Sequence, residues 1–185
     1  MFIAILLFEL HKYGYICNSD DDSDEPDSRY EYLSGVDLKV YTYGDDFNLG
    51  ELEYEKLDNL KITKSMLNHD YVYLFINDET GKYDISKKAA KKLIEVADDN
   101  INFSFFYIGK NKLEMFAELI PDVNLNDDDK SIGYTVYEGS RLVYFGLWTE
   151  YDEGFPDEDG LAKLDSILDT LIENIKSNEE GGTVQ

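Results

Sequence analysis

Three short polar stretches each follow directly on an apolar run, and they hold most of the side chains here that could do chemistry. They are Gly44-Asp45-Asp46, Asn77-Asp78-Glu79-Thr80 and Gly109-Lys110-Asn111-Lys112. Brought together, Asp45, Asp46, Asp78 and Glu79 supply four carboxylates, Asn77 an amide, and Lys110 and Lys112 two ammonium groups. Hard divalent cations prefer such oxygen ligands. A Mg²⁺ ion held there would fit a metal-dependent hydrolase built on Asp45, Asp46 and Asp78. The plainer reading is solvated loop ends, because in a chain with 40 acids some carboxylates cluster by chance. No metal ligand, cofactor or catalytic residue is assigned on this basis.

A second set is "KKAAKK", where Lys87, Lys88, Lys91 and Lys92 fall on the outer face of one predicted helix, with Lys82 nearby. It would suit an acidic patch on a partner, or an anionic membrane surface if the chain is anchored to one. The alternative is a solvated helix face.

Other chemistries lack their residues. Cys17 is the single cysteine, and His11 and His69 are the two histidines. A zinc site of Cys and His cannot be assembled within one such chain, nor can a disulfide. His69 precedes the start of an apolar run, at the opposite edge from the three polar stretches, and reads as a surface or packing residue. Neither G-x-x-x-x-G-K-[ST] nor G-x-G-x-x-G occurs. Arg29 and Arg141 are the only arginines, which disfavours a bidentate phosphate clamp. The net charge of −23 repels nucleic acid and anionic membranes and favours basic partners.

The elements that must position these groups are legible as hydrophobic patterns. "VDLKVYTYG", "YVYLFIND" and "INFSFFYIG" read as buried strands over 36–44, 71–78 and 101–109. Between the last two, "DISKKAAKKLIEVADDN" reads as a helix with Ile85, Ala89, Leu93, Val96 and Ala97 inward and Asp84 or Ser86 as its cap. That makes a βαβ unit with parallel strands. "NKLEMFAELIP" predicts a short helix ending at Pro121, and residues 50–68 a short helix or irregular connection. "SIGYTVYEGSRLVYFGLWTE" predicts an antiparallel hairpin turning at Gly139-Ser140, with Glu138 opposite Arg141. A last helix is expected over 157–176, with Leu161, Leu164, Leu168, Leu171 and Ile175 on one stripe and Asp157, Glu158 and Asp159 at its start. The fold class is therefore α/β: a three-layer Rossmann-like domain with parallel core strands and a C-terminal antiparallel hairpin in a mixed sheet. The domain is expected over 35–177, after an apolar leader (1–17) and an acidic linker (18–34), and before a flexible tail (178–185).

"MFIAILLFEL" is apolar but shorter than the roughly 20 residues that span a bilayer. It has the length of a signal-peptide core, although nothing basic precedes it. After Cys17 comes "NSDDDSDEPDSRYEY", a self-repelling polar stretch. The order apolar segment, cysteine, acidic tether, domain resembles a bacterial lipoprotein, over about the first 30 residues. The resemblance implies a lipid-anchored Cys17 as the mature N-terminus. Ile16 stands where that family carries a small residue. Residues 69–109 resemble the central unit of the class I glutamine-amidotransferase-like fold, in which a strand, a polar turn and a helix lead to a strand ending in glycine. That family places its catalytic cysteine on a strand-to-helix elbow. Here the elbow reads "GKNK", so the resemblance implies a relative that is not an enzyme.

The first functional expectation is a non-catalytic bacterial binding domain for a protein or small ligand, tethered on the cell surface or the periplasmic side of a membrane. Its only membrane contact would be through a lipid on Cys17; otherwise the chain is cytoplasmic. The second is an intracellular acidic protein of immunity type that neutralises a basic partner by charge complementarity. The third is the divalent-metal-dependent hydrolase. None of them uses nucleic acid.

Overall fold

Two runs with apolar side chains on both faces, residues 71–77 and 103–108, form the centre of the fold. The computed structural model describes residues 27–127, 129–137, 140–144 and 161–181. Its elements are α1 (Ser28–Ser34), β1 (Leu38–Gly44), β2 (Tyr54–Lys56), β3 (Tyr71–Asn77), α2 (Lys87–Asp99), β4 (Phe103–Ile108), α3 (Leu113–Leu119), β5 (Ser131–Tyr137), β6 (Ser140–Tyr144) and α4 (Leu161–Gly181). The six strands lie in the order β2-β1-β3-β4-β5-β6. The first four are parallel, and β5 and β6 run antiparallel to their predecessors. This is the expected mixed α/β sheet.

Alternation along β3 and β4 divides the core in two. Val72, Leu74, Ile76, Phe103, Phe105 and Tyr107 enter the half covered by α2 and α3. Tyr73, Phe75, Phe106 and Ile108 enter the half covered by α1 and α4. The Phe75 and Phe106 rings stack with centroids 5.2 Å apart. The result is three layers, with helices on both faces of the sheet. In α2 the Ser86 hydroxyl caps the helix by accepting from Ala89 N at 3.2 Å. The buried stripe is Ala90, Leu93, Ile94 and Ala97, an i, i+3, i+4, i+7 set. Ala89 and Val96, expected inward, are half-buried at its margins.

Several boundaries differ from the sequence reading. The acidic linker does not run to residue 34, because Ser28–Ser34 is helix α1. Asp27 caps it, accepting from Arg29 N at 3.0 Å, and Leu33 is buried in the core. Strand β2 escaped the hydrophobic pattern because Tyr54, Glu55 and Lys56 are all exposed. A short, charged edge strand is one way a sheet guards its open edge. The β2–β3 connection is irregular apart from a 3₁₀ turn at Lys64–Leu67.

At the hairpin, Tyr137 pairs with Ser140 and Val136 with Arg141. Ser140 is thus a strand residue, and Arg141 stands opposite Val136 rather than Glu138. Glu138 and Gly139 themselves lie outside the described residues. Helix α4 runs on to Gly181, beyond the expected end. Leu168, Leu171 and Ile175 are buried in it as expected, together with Ile167. The burial of Leu161 and Leu164 lies outside what is described, as do Asp157, Glu158, Asp159 and residues 1–26 with Cys17.

Candidate functional site

The sheet order puts a topological switch between β1 and β3. Residues leaving β1, Phe47, Leu49 and Leu52, pack on the α1/α4 face. Residues leaving β2 and β3, Leu57, Leu60, Ile85 and then α2, pack on the opposite face. In open α/β sheets ligands bind outside the strand carboxyl ends at such a point. The three polar stretches picked out from sequence follow β1, β3 and β4, so they meet there.

Their polar groups are spent largely on one another. Asp45 N donates to Asn77 O at 2.8 Å. Asn77 Nδ2 donates to Asp46 O at 3.1 Å, and Glu79 N to Asn77 Oδ1 at 3.2 Å. The Asp45 carboxylate accepts from Thr80 Oγ1 at 2.7 Å and from Thr80 N at 3.0 Å. Asp46 turns outward to Lys56 Nζ at 2.5 Å, and that hydrogen bond holds its carboxyl below the usual range. Asp78 is buried, 1% exposed, and accepts from Tyr83 N and from the Tyr107 hydroxyl, each at 3.1 Å. The Tyr107 oxygen in turn accepts from Lys112 N at 3.0 Å. Lys112 Nζ lies 3.9 Å from Asp84, and Lys110 is exposed.

Gly109, at φ 138°, allows this closure: a Cβ there would lie 2.5 Å from Asp78 O. The loops therefore converge, but the carboxylates of Asp45, Asp46 and Asp78 each face different partners. Among the described residues no three His, Cys, Asp or Glu side chains are placed to share a metal ion. The ligand set that the hydrolase expectation needs is not assembled from Asp45, Asp46 and Asp78.

Burial pushes the Tyr107 phenol above its ordinary range, opposed by the Lys112 N–H and reinforced by the neighbouring Asp78 carboxylate. A phenol whose folded pKa is raised contributes stability below its unfolded pKa of about 10, and loses it as pH rises above that value. Tyr107→Phe is expected to lower the unfolding free energy at pH 7 by about 1–2 kcal/mol, through the lost hydrogen bonds. It should also flatten the decline of stability above pH ~10. Urea melts of both proteins across that range check both effects. Tyr41, also raised by burial, leaves a residual slope.

The lysine face of α2 is partly neutralised. Lys87 pairs with Glu118 of α3 at 2.9 Å, and Lys92 with Glu95 at 3.4 Å. Lys88 and Lys91 are exposed and form no ion pair among the described residues. His69 lies at the amino end of β3, as expected, and its Nδ1 is 2.7 Å from Asp37.

Sequence reasoning missed a groove at the other end of the sheet. It lies between α1 and the segment entering β2 and encloses about 800 Å³. Leu33, Leu38 and Leu52 give it an apolar floor, and Glu31, Glu51 and Glu53 stand on its rim. These three glutamates are exposed and have no cationic partner among the described residues. Asp27, also at the rim, is engaged by Arg29, whose other nitrogen reaches Asp169 of α4 at 3.1 Å. One signal was available: "ELEYE" alternates charged and apolar residues, the period of an extended, half-buried segment. Comparison with family models, curated proteins and solved structures finds no match to the chain.

Proposed function

We propose that this chain is a non-catalytic binding domain whose partner is a basic protein surface. The observation that carries the reading is the contrast between the two ends of the sheet. At the strand carboxyl ends, Asp45, Asp46, Asn77 and Asp78 are bound to the protein's own groups. At the other end, carboxylates point outward around an apolar floor without counter-ions among the described residues. With a net charge of −23, such a surface steers cationic partners inward and repels acidic ones. The test is a fluorescence titration with a lysine-rich peptide and with its glutamate counterpart, at low and at high salt. Binding of the basic peptide alone, weakening as salt rises, is the expected result. Equal behaviour of the two peptides refutes the reading.

The place of action follows from residues 1–26. We read Cys17 as a lipid anchor that holds the domain outside a bacterial membrane, on the resemblance of that segment to lipoproteins. No helix among the described residues is long and apolar enough to cross a membrane. Expression in a bacterial host with labelled fatty acid should give label on the wild type and none on Cys17→Ser. Absence of label from both proteins discards the anchor and favours the intracellular, immunity-type reading.

A further inference from the structure

We propose that the groove between α1 and the segment entering β2 binds a basic, partly apolar segment of a partner protein. A lysine or arginine stem would lie along Leu33, Leu38 and Leu52, with its charged head among Glu31, Glu51 and Glu53. This rests on the reading of the chain as a binder of basic proteins and adds the place and the chemistry of contact. Two properties of the groove select that occupant. Its volume falls within the roughly 300–1,000 Å³ of ligand-binding clefts, and its floor is apolar. Long basic side chains are the ones that cover apolar surface with their stems while keeping a charged head in water.

The rim supplies the complementary charge. Glu51 and Glu53 flank Leu52 on one wall, and Glu31 stands on α1 across from them. Arg29, two residues before Glu31, is committed to Asp27 by a hydrogen bond of 2.6 Å and to Asp169. An acidic or purely apolar segment would leave the three rim carboxylates without a counter-ion among the described residues. A purely cationic one would leave the leucine floor wet. A segment that alternates lysine and leucine satisfies both.

The experiment uses the full chain and a labelled peptide of alternating lysine and leucine. Two controls accompany it, a lysine–glycine peptide of equal charge and a glutamate–leucine peptide. Methyl and amide NMR spectra locate the contact, and fluorescence anisotropy measures affinity. The expected result is perturbation at Leu33, Leu38 and Leu52, with markedly weaker binding of both control peptides. Affinity should fall about tenfold in the double variant Glu51→Gln, Glu53→Gln, since truncating charges at a contact weakens it specifically. It should change less than about twofold in Asp99→Asn, Glu114→Gln, which removes equal charge from exposed positions on the opposite helical layer.

If the basic peptide binds but both double variants weaken it equally, the groove proposal falls and the basic-partner reading stands. If the basic peptide does not bind the wild type even at low salt, both fall. Contacts in the free protein between the leucine methyls of the groove and residues 1–10 would assign the groove to the chain itself and overturn the proposal.

Discussion

Gly44→Ala should cost roughly 3 kcal/mol or more of unfolding free energy, and lower Tm by roughly 6–12 °C. Two independent effects combine. Gly44 ends β1 at φ 104°, a backbone conformation that side-chain-bearing residues rarely adopt. Its missing Cβ would also strike the carbonyl oxygen of Asn77 on the neighbouring strand. That oxygen cannot simply retreat, because it accepts the Asp45 amide at 2.8 Å, the bond that starts the β1 loop across the switch point. Relief therefore means parting β1 from β3 or turning the loop, and either one breaks the Asp45–Thr80 link.

Gly35→Ala is the matched control. Gly35 sits at φ −82° after α1, and a Cβ there meets Tyr32 O at 3.4 Å and Glu31 O at 3.9 Å, both ordinary contacts. That substitution should change stability by no more than about 0.5–1 kcal/mol, in the stabilising direction through a stiffer unfolded chain. Chemical denaturation of the two variants beside the wild type decides the matter. Equal effects at both positions would mean that the strand-end junction is not the close contact described.

How far the sequence could foretell this arrangement depended on where the information resides. Strands β3 and β4 and helix α2 are written locally: their apolar runs and caps identify them whatever surrounds them. Strand β2 carries no such mark, since an edge strand with three exposed residues differs from a loop only by its neighbour β1. Helix α1 was hidden in an acidic stretch because Leu33 is its only fully buried residue and its stability comes from packing on a distant part of the chain. The meeting of the three strand-end loops was legible, because parallel strands dictate it. Their choice of partners was not. Asp45 finding Thr80 and Asp46 finding Lys56 depend on loop trajectories that no spacing encodes. The groove was less legible still, as its floor joins leucines from three separated segments.

Asp78→Ala should destabilise the protein by roughly 2–4 kcal/mol, and Asp78→Asn by roughly half as much. The carboxylate is 1% exposed and serves two donors, Tyr83 N on one oxygen and the Tyr107 hydroxyl on the other. Alanine leaves both without that acceptor. A buried orphan donor costs about 1–3 kcal/mol, and the sum is reduced because alanine also removes a charge from a place with little water. Asparagine keeps an acceptor for Tyr83 N but turns an amide N–H toward Tyr107. The phenol oxygen can accept it alongside Lys112 N, having two lone pairs, yet its own proton then lacks a partner.

The ranking wild type, Asn, Ala is therefore the signature of a hydrogen-bonding post that ties the β3 loop to the β4 loop. A metal ligand would behave differently. A cation that binds only the folded state raises Tm with its concentration. Melting all three proteins with and without Mg²⁺ separates the two roles, and the expected result is no Mg²⁺-dependent shift in any of them. A rise in the wild type that both substitutions abolish would make Asp78 a ligand and return the strand-end crevice to the class of catalytic sites.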